Sequence, residues 1–159
     1  MNKEFIVGVI YNPILDEMFS ASHLSVSMLN GKPIAVSEVS ELTSACLSTE
    51  CGSDRNSAKT DFILEQLTTM LQNRVQCVRM MGSCALNMAY LACGRSDIYY
   101  ERGPYAWDMA AGVLIIRQAG GVVRSAGNGI DAPFNLTSRS VLAYTPGMRT
   151  ELGEVLSLN

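Results

Sequence analysis

The stretch from Glu101 to Gly121 constrains the fold most, because a helical pattern there begins beside two acidic side chains. Asp108 stands where a helix N-cap belongs, and the Gly120-Gly121 pair ends the pattern. Apolar residues recur between these points at helical spacing, at Met109, Val113, Ile116 and Ala119. The sequence therefore predicts a helix over about residues 109–119, with Asp108 as its N-cap.

The carboxylate of Asp108 allows two interpretations. It can cap the helix by accepting a hydrogen bond from a backbone N–H group that has no partner inside the helix. It can also ligate a metal ion, and its neighbours favour this second interpretation. Glu101 lies seven residues upstream, after the strand-like residues 97–100, and Trp107 is expected to bury the approach to the helix. Both acids are therefore predicted to converge on one crevice.

Composition narrows the class of ligand. The chain has 159 residues, 48% of them hydrophobic and 17% charged, which is enough for a compact core. A net charge of −3 does not suit a nucleic-acid binder, so a small ligand is expected. We found no apolar run near the roughly 20 residues that span a bilayer and no secretory pattern. The chain is therefore expected to be cytoplasmic, with no membrane partner.

Metal chemistry based on zinc is not expected. The five cysteines form no staple-like pattern, so they are predicted to be free thiols. His23 is the single histidine, and the sequence has no Cys-x-x-Cys pair. His23 is interpreted as a solvated turn residue rather than a catalytic base.

The fold class is predicted as α/β, with an α+β front third. Residues 1–42 read as antiparallel strands, at about 4–11, 18–21, 25–29 and 32–36, with a hairpin turn at Asn30-Gly31. From residue 43 strands and helices alternate, so 43–159 is predicted as an α/β domain. A helix is expected over 57–73, and its predicted core stripe is Phe62, Leu64, Leu67, Met70 and Leu71.

A second stretch of interest is Gly82-Ser83, between a predicted strand at 75–80 and a predicted helix at 84–93. A helix start after a glycine offers backbone N–H groups and a positive dipole end to a phosphate or hydroxyl oxygen. The same pattern is commonly only a turn followed by an N-cap. The loop 50–55 follows the predicted strand 45–49 at its carboxyl end, where α/β sheets gather ligands.

These residues carry a family resemblance. The segment Trp107-Asp-Met-Ala-Ala-Gly112, continuing to Ile116-Arg-Gln-Ala-Gly-Gly121, resembles the carboxyl-terminal signature of the inositol monophosphatase family. Other segments agree in order and spacing: Gly8-Val-Ile-Tyr-Asn-Pro13, Leu29-Asn-Gly-Lys-Pro33, Gly82-Ser-Cys-Ala-Leu-Asn-Met88, Asp97-Ile-Tyr-Tyr-Glu101 and Pro133-Phe-Asn-Leu136.

The resemblance implies the carboxyl-terminal half of a layered α-β-α-β-α sugar-phosphatase fold. It also implies magnesium-dependent hydrolysis of inositol monophosphate or a related sugar phosphate, by a lithium-sensitive homodimer. Asp108 would bind Mg²⁺, and Glu101 would contact an inositol hydroxyl. The substrate-lining residues implied by the resemblance are Gly82, Ser83, Cys84 and, in the neighbouring loop, Ser53.

Departures from the family pattern affect the expected activity. The family's other metal ligands lie in a Gly-Glu segment and an Asp-Pro-Ile/Leu-Asp-Gly-Thr segment, and this sequence contains neither. The chain is therefore expected to be a fragment or truncated isoform. It could be an inactive module that pairs with full-length subunits, or an enzyme with substitute ligands, for which Asp54, Asp97 and Glu50 are the candidates.

Overall fold

The computed structural model describes residues 5–54, 56–126 and 130–157. Within these ranges the chain forms a four-stranded sheet, a five-stranded sheet and four α-helices. The predicted α/β class with an antiparallel front third is confirmed. None of these helices is long and apolar enough to cross a membrane.

The first sheet is an antiparallel meander of four strands in sequence order. The strands are β1 (Val7–Asn12), β2 (Glu17–Ser22), β3 (Ser25–Leu29) and β4 (Lys32–Pro33). Asn30 and Gly31 both have positive φ, as the predicted hairpin turn requires. β4 is shorter than predicted because the chain turns away, and the backbone N–H of Val36 donates to Ala119 instead.

The second sheet is mixed, with strand order β6-β5-β7-β9-β8. Its strands are β5 (Cys46–Thr49), β6 (Cys77–Arg79), β7 (Ile98–Arg102), β8 (Val122–Arg124) and β9 (Ser140–Tyr144). β5 runs parallel to β6 and β7, whereas β9 is antiparallel to β7 and β8. Glu101 was expected after its strand but lies inside β7, because β9 continues the ladder and Glu101 pairs with Val141.

The four helices are α1 (Ser57–Gln72), α2 (Cys84–Ala92), α3 (Ala106–Gln118) and α4 (Arg149–Ser157). The expected N-cap at Asp108 was wrong by three residues. Tyr105 is the N-cap of α3, and Asp108 occupies the third helical position. The Asp108 carboxylate still serves the helix end, since its Oδ2 accepts a hydrogen bond from the Tyr105 backbone N–H at 2.8 Å.

The predicted core stripe of α1 was too wide. Met70 is buried and Phe62 and Leu67 are half-buried, but Leu64 is 56% exposed and Leu71 is 60% exposed. At 100° per residue, Leu71 lies opposite Phe62 on the helix, so the two side chains cannot share a buried face.

One core cluster joins the first sheet to the central helices. Phe19 of β2 is buried together with Met88 of α2 and Val113 of α3. The Ser27 hydroxyl of β3 donates to the backbone oxygen of Ile115 at 2.6 Å. Residues from both predicted domains, 1–42 and 43–159, therefore contribute to the same core, and the division between them stays a prediction.

The opposite face of the first sheet is apolar and open to solvent. β1 alternates regularly, so that Val7, Val9 and Tyr11 point away from the core and are about half to two-thirds exposed. Met18 and Val26 on the next two strands are also exposed. We call these five residues the outer sheet face. Contiguous exposed apolar surface of this kind is typical of a region that another element covers.

Candidate functional site

A cleft of about 750 Å³ opens where strands of the second sheet end and helices begin. The loop after β5, the end of β7 and the first turn of α3 form its walls. Four residues selected from the sequence line it together: Ser53, Cys84, Glu101 and Asp108. The predicted convergence of the two acids on one crevice is confirmed.

The Asp108 carboxylate is held by its own helix end. Its Oδ2 accepts the hydrogen bond from Tyr105, whereas Oδ1 has no recorded hydrogen-bond partner among the described residues. The first turn of a helix is the positive end of the helix dipole, and a negatively charged group is favourable there. One oxygen therefore fixes the orientation of the group, and the other accepts no hydrogen bond from the described residues.

Glu101 lies deeper in the cleft wall and is 9% exposed. Burial raises the pKa of its carboxyl group, and a hydrogen bond donated by the Tyr99 hydroxyl offsets part of that rise. The negative charges of Glu50 and Asp108 raise the pKa further, whereas the positive charge of Lys59 lowers it. Glu101 is therefore an acceptor of hydrogen bonds in a crowded acidic region.

Cys84, the first residue of α2, is half-buried in the cleft wall. Burial raises the pKa of its thiol to about 12. The group is therefore a neutral thiol at physiological pH, which makes it a poor nucleophile.

Gly82 and Ser83 directly precede Cys84 in the sequence, but unlike Cys84 they do not line the cleft. The backbone N–H of Gly82 donates to Oε1 of Glu50, which also accepts a hydrogen bond from the Asn87 side chain at 3.0 Å. Ser83 occupies the N-cap position of α2 and its side chain makes no capping hydrogen bond. The Gly82 N–H group of this turn is therefore occupied by Glu50. The Ser83 hydroxyl is exposed and does not cap the helix.

Among the residues that the structure describes, no group of three or more His, Cys, Asp or Glu side chains could hold a metal ion. Asp97, one of the candidate substitute ligands, does not line the cleft. Asp97 is buried and accepts hydrogen bonds from the Ser37 hydroxyl and from the Cys46 backbone, so it braces the second sheet. Asp54 lines the cleft, but its carboxylate accepts two hydrogen bonds from Asn56.

The cleft mouth contains an aromatic stack that sequence patterns did not predict. Trp107 was expected to bury the approach to α3, but it is 76% exposed. Its ring stacks on Tyr105 with 4.6 Å between centroids, and the Arg139 guanidinium lies 4.1 Å from the Tyr105 centroid. The tryptophan thus packs on its neighbour rather than into the core.

Lys59, Arg102 and Arg139 also line the cleft and were not identified from the sequence. Arg102 follows Glu101 directly in β7, but successive residues of a strand point to opposite faces, so this adjacency did not predict its place at the cleft. Lys59 follows Ser53 by six residues and Arg139 follows Asp108 by 31. In both cases only the tertiary fold shows that the side chain reaches the cleft.

Two expectations about other reactive side chains are confirmed. His23 is exposed in the β2–β3 turn, where its backbone N–H donates to Ile6. The five cysteines, all within the described ranges, form no disulfide.

The chain is similar in sequence to a known family over nearly its whole length. The sequence profile of the inositol monophosphatase family matches residues 1–156. The chain is 38% identical over 156 residues to the inositol monophosphatase of Dictyostelium discoideum, covering 98% of this chain and 56% of the relative. It is 43% identical over 146 residues to inositol monophosphatase 3 of Solanum lycopersicum, covering 90% and 52%. The chain thus spans about half the length of the curated relatives it matches.

Solved structures agree with the sequence comparison. The inositol monophosphatase from Anabaena (Nostoc) sp. PCC 7120 superposes with a TM-score of 0.82 at 34% identity, covering 96% of this chain and 59% of that one. The extragenic suppressor protein SuhB from Bartonella henselae gives a TM-score of 0.82 at 31% identity, covering 95% and 56%. Sequence and fold agree, and the chain belongs to the inositol monophosphatase family.

Proposed function

We propose that the cleft binds the phosphate monoester of inositol or a related sugar and serves magnesium-dependent hydrolysis of that ester. The observation that carries the proposal is the position of Asp108. Its carboxylate stands at the positive end of α3 with one oxygen uncommitted, in a cleft it shares with Glu101. Membership of the family supports the choice of substrate class.

The donor set fits magnesium as a partial site. Mg²⁺ prefers hard oxygen ligands, and proteins commonly hold it with one or two carboxylates together with substrate phosphate and water. Asp108 supplies one such carboxylate. A bound metal would neutralise charge on the phosphoryl group and activate a water molecule for attack. The residues of this chain would then orient the ester and hold its leaving-group side.

The family resemblance implies the remaining roles, and the chemistry of the side chains supports them. We assign Glu101 to an inositol hydroxyl, because its buried carboxylate can accept a hydrogen bond from one. Ser53 offers its hydroxyl group to the substrate from the cleft lining. Gly82 and Ser83, which the family resemblance implies as substrate residues, lie outside that lining and would shape the adjacent turn. Cys84 forms part of the wall as a neutral thiol, so hydrolysis would not proceed through a cysteinyl intermediate.

A second candidate function is an interaction module without turnover of its own. Two observations favour it: the described residues hold no three-ligand metal group, and the outer sheet face is uncovered. Such a module would bind the sugar phosphate weakly and pair with full-length subunits, in keeping with the homodimer that the family resemblance implies. We place either form in the cytoplasm, where free thiols stay reduced.

A phosphate-release assay distinguishes the two functions. Wild type and the Asp108→Ala variant would be compared with inositol 1-phosphate, with and without Mg²⁺. Turnover that requires both Mg²⁺ and Asp108 would establish the enzyme. Binding of inositol 1-phosphate without turnover above the Asp108→Ala background would establish the module.

The division of roles between the two acids can be tested by binding. Asp108→Asn should weaken magnesium binding, because an amide oxygen is a poorer ligand than a carboxylate. Glu101→Gln should instead change the preference among sugar phosphates, since it keeps an acceptor for hydroxyl groups. Equal losses of magnesium affinity in the two variants would contradict this division.

A further inference from the structure

Lys59 occupies a defined place inside the cleft. It belongs to the first turn of α1, where its backbone N–H donates to the Asn56 side chain at 2.9 Å. Its ammonium group lies against two loops of the cleft wall. A Cβ atom built on Gly52 would lie 2.7 Å from Nζ of Lys59, and one built on Gly103 would lie 3.1 Å away. The glycines at both positions thus leave room for the ammonium group.

Among the described residues Lys59 forms no close ion pair, although its positive charge is near enough to Glu101 to lower the pKa of that carboxyl group. No carboxylate oxygen there lies within the 4.0 Å of an ion pair, and the first turn of α1 contains no acidic residue. A cation is also unfavourable at this end of a helix, where the dipole is already positive. Lys59 is half-buried, so water screens its charge only in part. Helix stability therefore does not explain a lysine here.

The two arginines of the cleft already have partners. The Arg102 guanidinium lies 3.5 Å from the centroid of the Phe62 ring. The Arg139 side chain donates to the backbone oxygen of Gly103 at 2.7 Å and covers the Tyr105 ring. Of the three cationic side chains that line the cleft, Lys59 is the one whose charged group has no partner recorded in the described ranges.

We propose that Lys59 binds a phosphate oxygen of the ligand in this cleft. An ammonium group has three rotatable donors and acts on phosphate as a compact point charge. This inference rests on the proposed function, because it takes the ligand to be a sugar phosphate. The family resemblance implied Ser53 and the residues around Cys84 as substrate-lining residues of this cleft. The inference adds Lys59 to them as a side chain that binds the phosphate group.

The alternative is that Lys59 only offsets the negative charge of Glu101. In that role the Lys59 ammonium group would donate no hydrogen bond to the ligand. Its loss would change the binding of charged and uncharged ligands alike, since both would meet the altered Glu101. A comparison of inositol 1-phosphate with uncharged myo-inositol therefore separates the two roles.

The test is calorimetric titration of the full chain in magnesium-containing buffer. Lys59→Met should bind inositol 1-phosphate about tenfold more weakly than wild type, which is the usual scale for one charge-assisted hydrogen bond. Lys32→Met is the matched control, because it removes the same charge from β4, outside the cleft lining. Lys59→Arg should recover part of the affinity. Added salt should weaken binding to wild type more steeply than to Lys59→Met.

Each outcome is decisive. Lys59→Met binding inositol 1-phosphate as tightly as Lys32→Met would overturn the inference and leave the proposed function standing. A salt dependence identical in wild type and Lys59→Met would also overturn it, because loss of a charge that contacts the phosphate must make binding less sensitive to salt. Failure of wild type to bind inositol 1-phosphate at all would overturn the proposed function, and the inference with it. The melting temperature of Lys59→Met should equal that of wild type or be slightly higher, because the helix dipole disfavours a lysine at this position. That result would support a ligand-binding role for Lys59 over a role in helix stability.

Discussion

Replacing Asp108 by alanine should destabilise the protein even when no metal is present. The substitution removes the acceptor for the Tyr105 backbone N–H and the negative charge at the positive end of α3. Loss of a helix-end acceptor costs typically about 1 kcal/mol, and loss of the favourable charge costs a further 0.3–1 kcal/mol, roughly. The free energy of unfolding should therefore fall by about 1–2 kcal/mol. Asp108→Asn keeps an oxygen acceptor and should lose only the charge contribution, roughly 0.5 kcal/mol.

The assay is urea denaturation with a chelator present, so that metal binding does not contribute. In thermal melts the same loss should lower the midpoint of Asp108→Ala by roughly 2–8 °C for a chain of this size. Asp61→Ala is the matched control, because Asp61 is exposed on α1 and its replacement should change stability by less than about 0.5 kcal/mol. If Asp108→Ala and Asp61→Ala unfold at the same urea concentration, the helix-end role of Asp108 is refuted.

Three other predictions concern packing, titration and surface. Gly112→Ala should cost about 1–3 kcal/mol in urea melts, because the new Cβ would lie 2.7 Å from the Met88 side chain; unchanged stability would contradict this packing. Burial raises the pKa of Glu101 above its ordinary 4.5, so its ionisation opposes folding. The unfolding free energy of wild type should therefore fall relative to Glu101→Gln as pH rises from about 4.5 through the raised pKa; parallel curves would refute this. Sedimentation should show concentration-dependent self-association that Val9→Lys weakens, whereas a monomeric wild type without dye-accessible apolar surface would argue against it.

The fold could be predicted where local signals agree with tertiary packing. Asn30-Gly31 supports only a narrow set of turn geometries, and β1 alternates between buried and exposed faces as a half-buried strand must. Element ends were harder to predict. N-cap propensity favours Asp108 over Tyr105, but the helix begins three residues earlier and Asp108 serves the helix end from its third position.

The site could be predicted only in part. Glu101 and Asp108 share one short segment, so their spacing already placed them together. Lys59 reaches the same cleft through α1, and nothing in its local sequence shows which way that helix start points. For Trp107 the sequence led to a wrong prediction. Its large aromatic side chain suggested burial, but the ring stacks on Tyr105 at the surface.

The central claim is that Asp108 couples magnesium to a sugar phosphate in this cleft. The most direct test is calorimetric titration of inositol 1-phosphate into wild type and Asp108→Asn, each with and without Mg²⁺. Magnesium should strengthen binding of inositol 1-phosphate to wild type and should have little effect on the variant, because the variant lacks the carboxylate that would hold the metal. Equal strengthening by magnesium in the two proteins would contradict the claim.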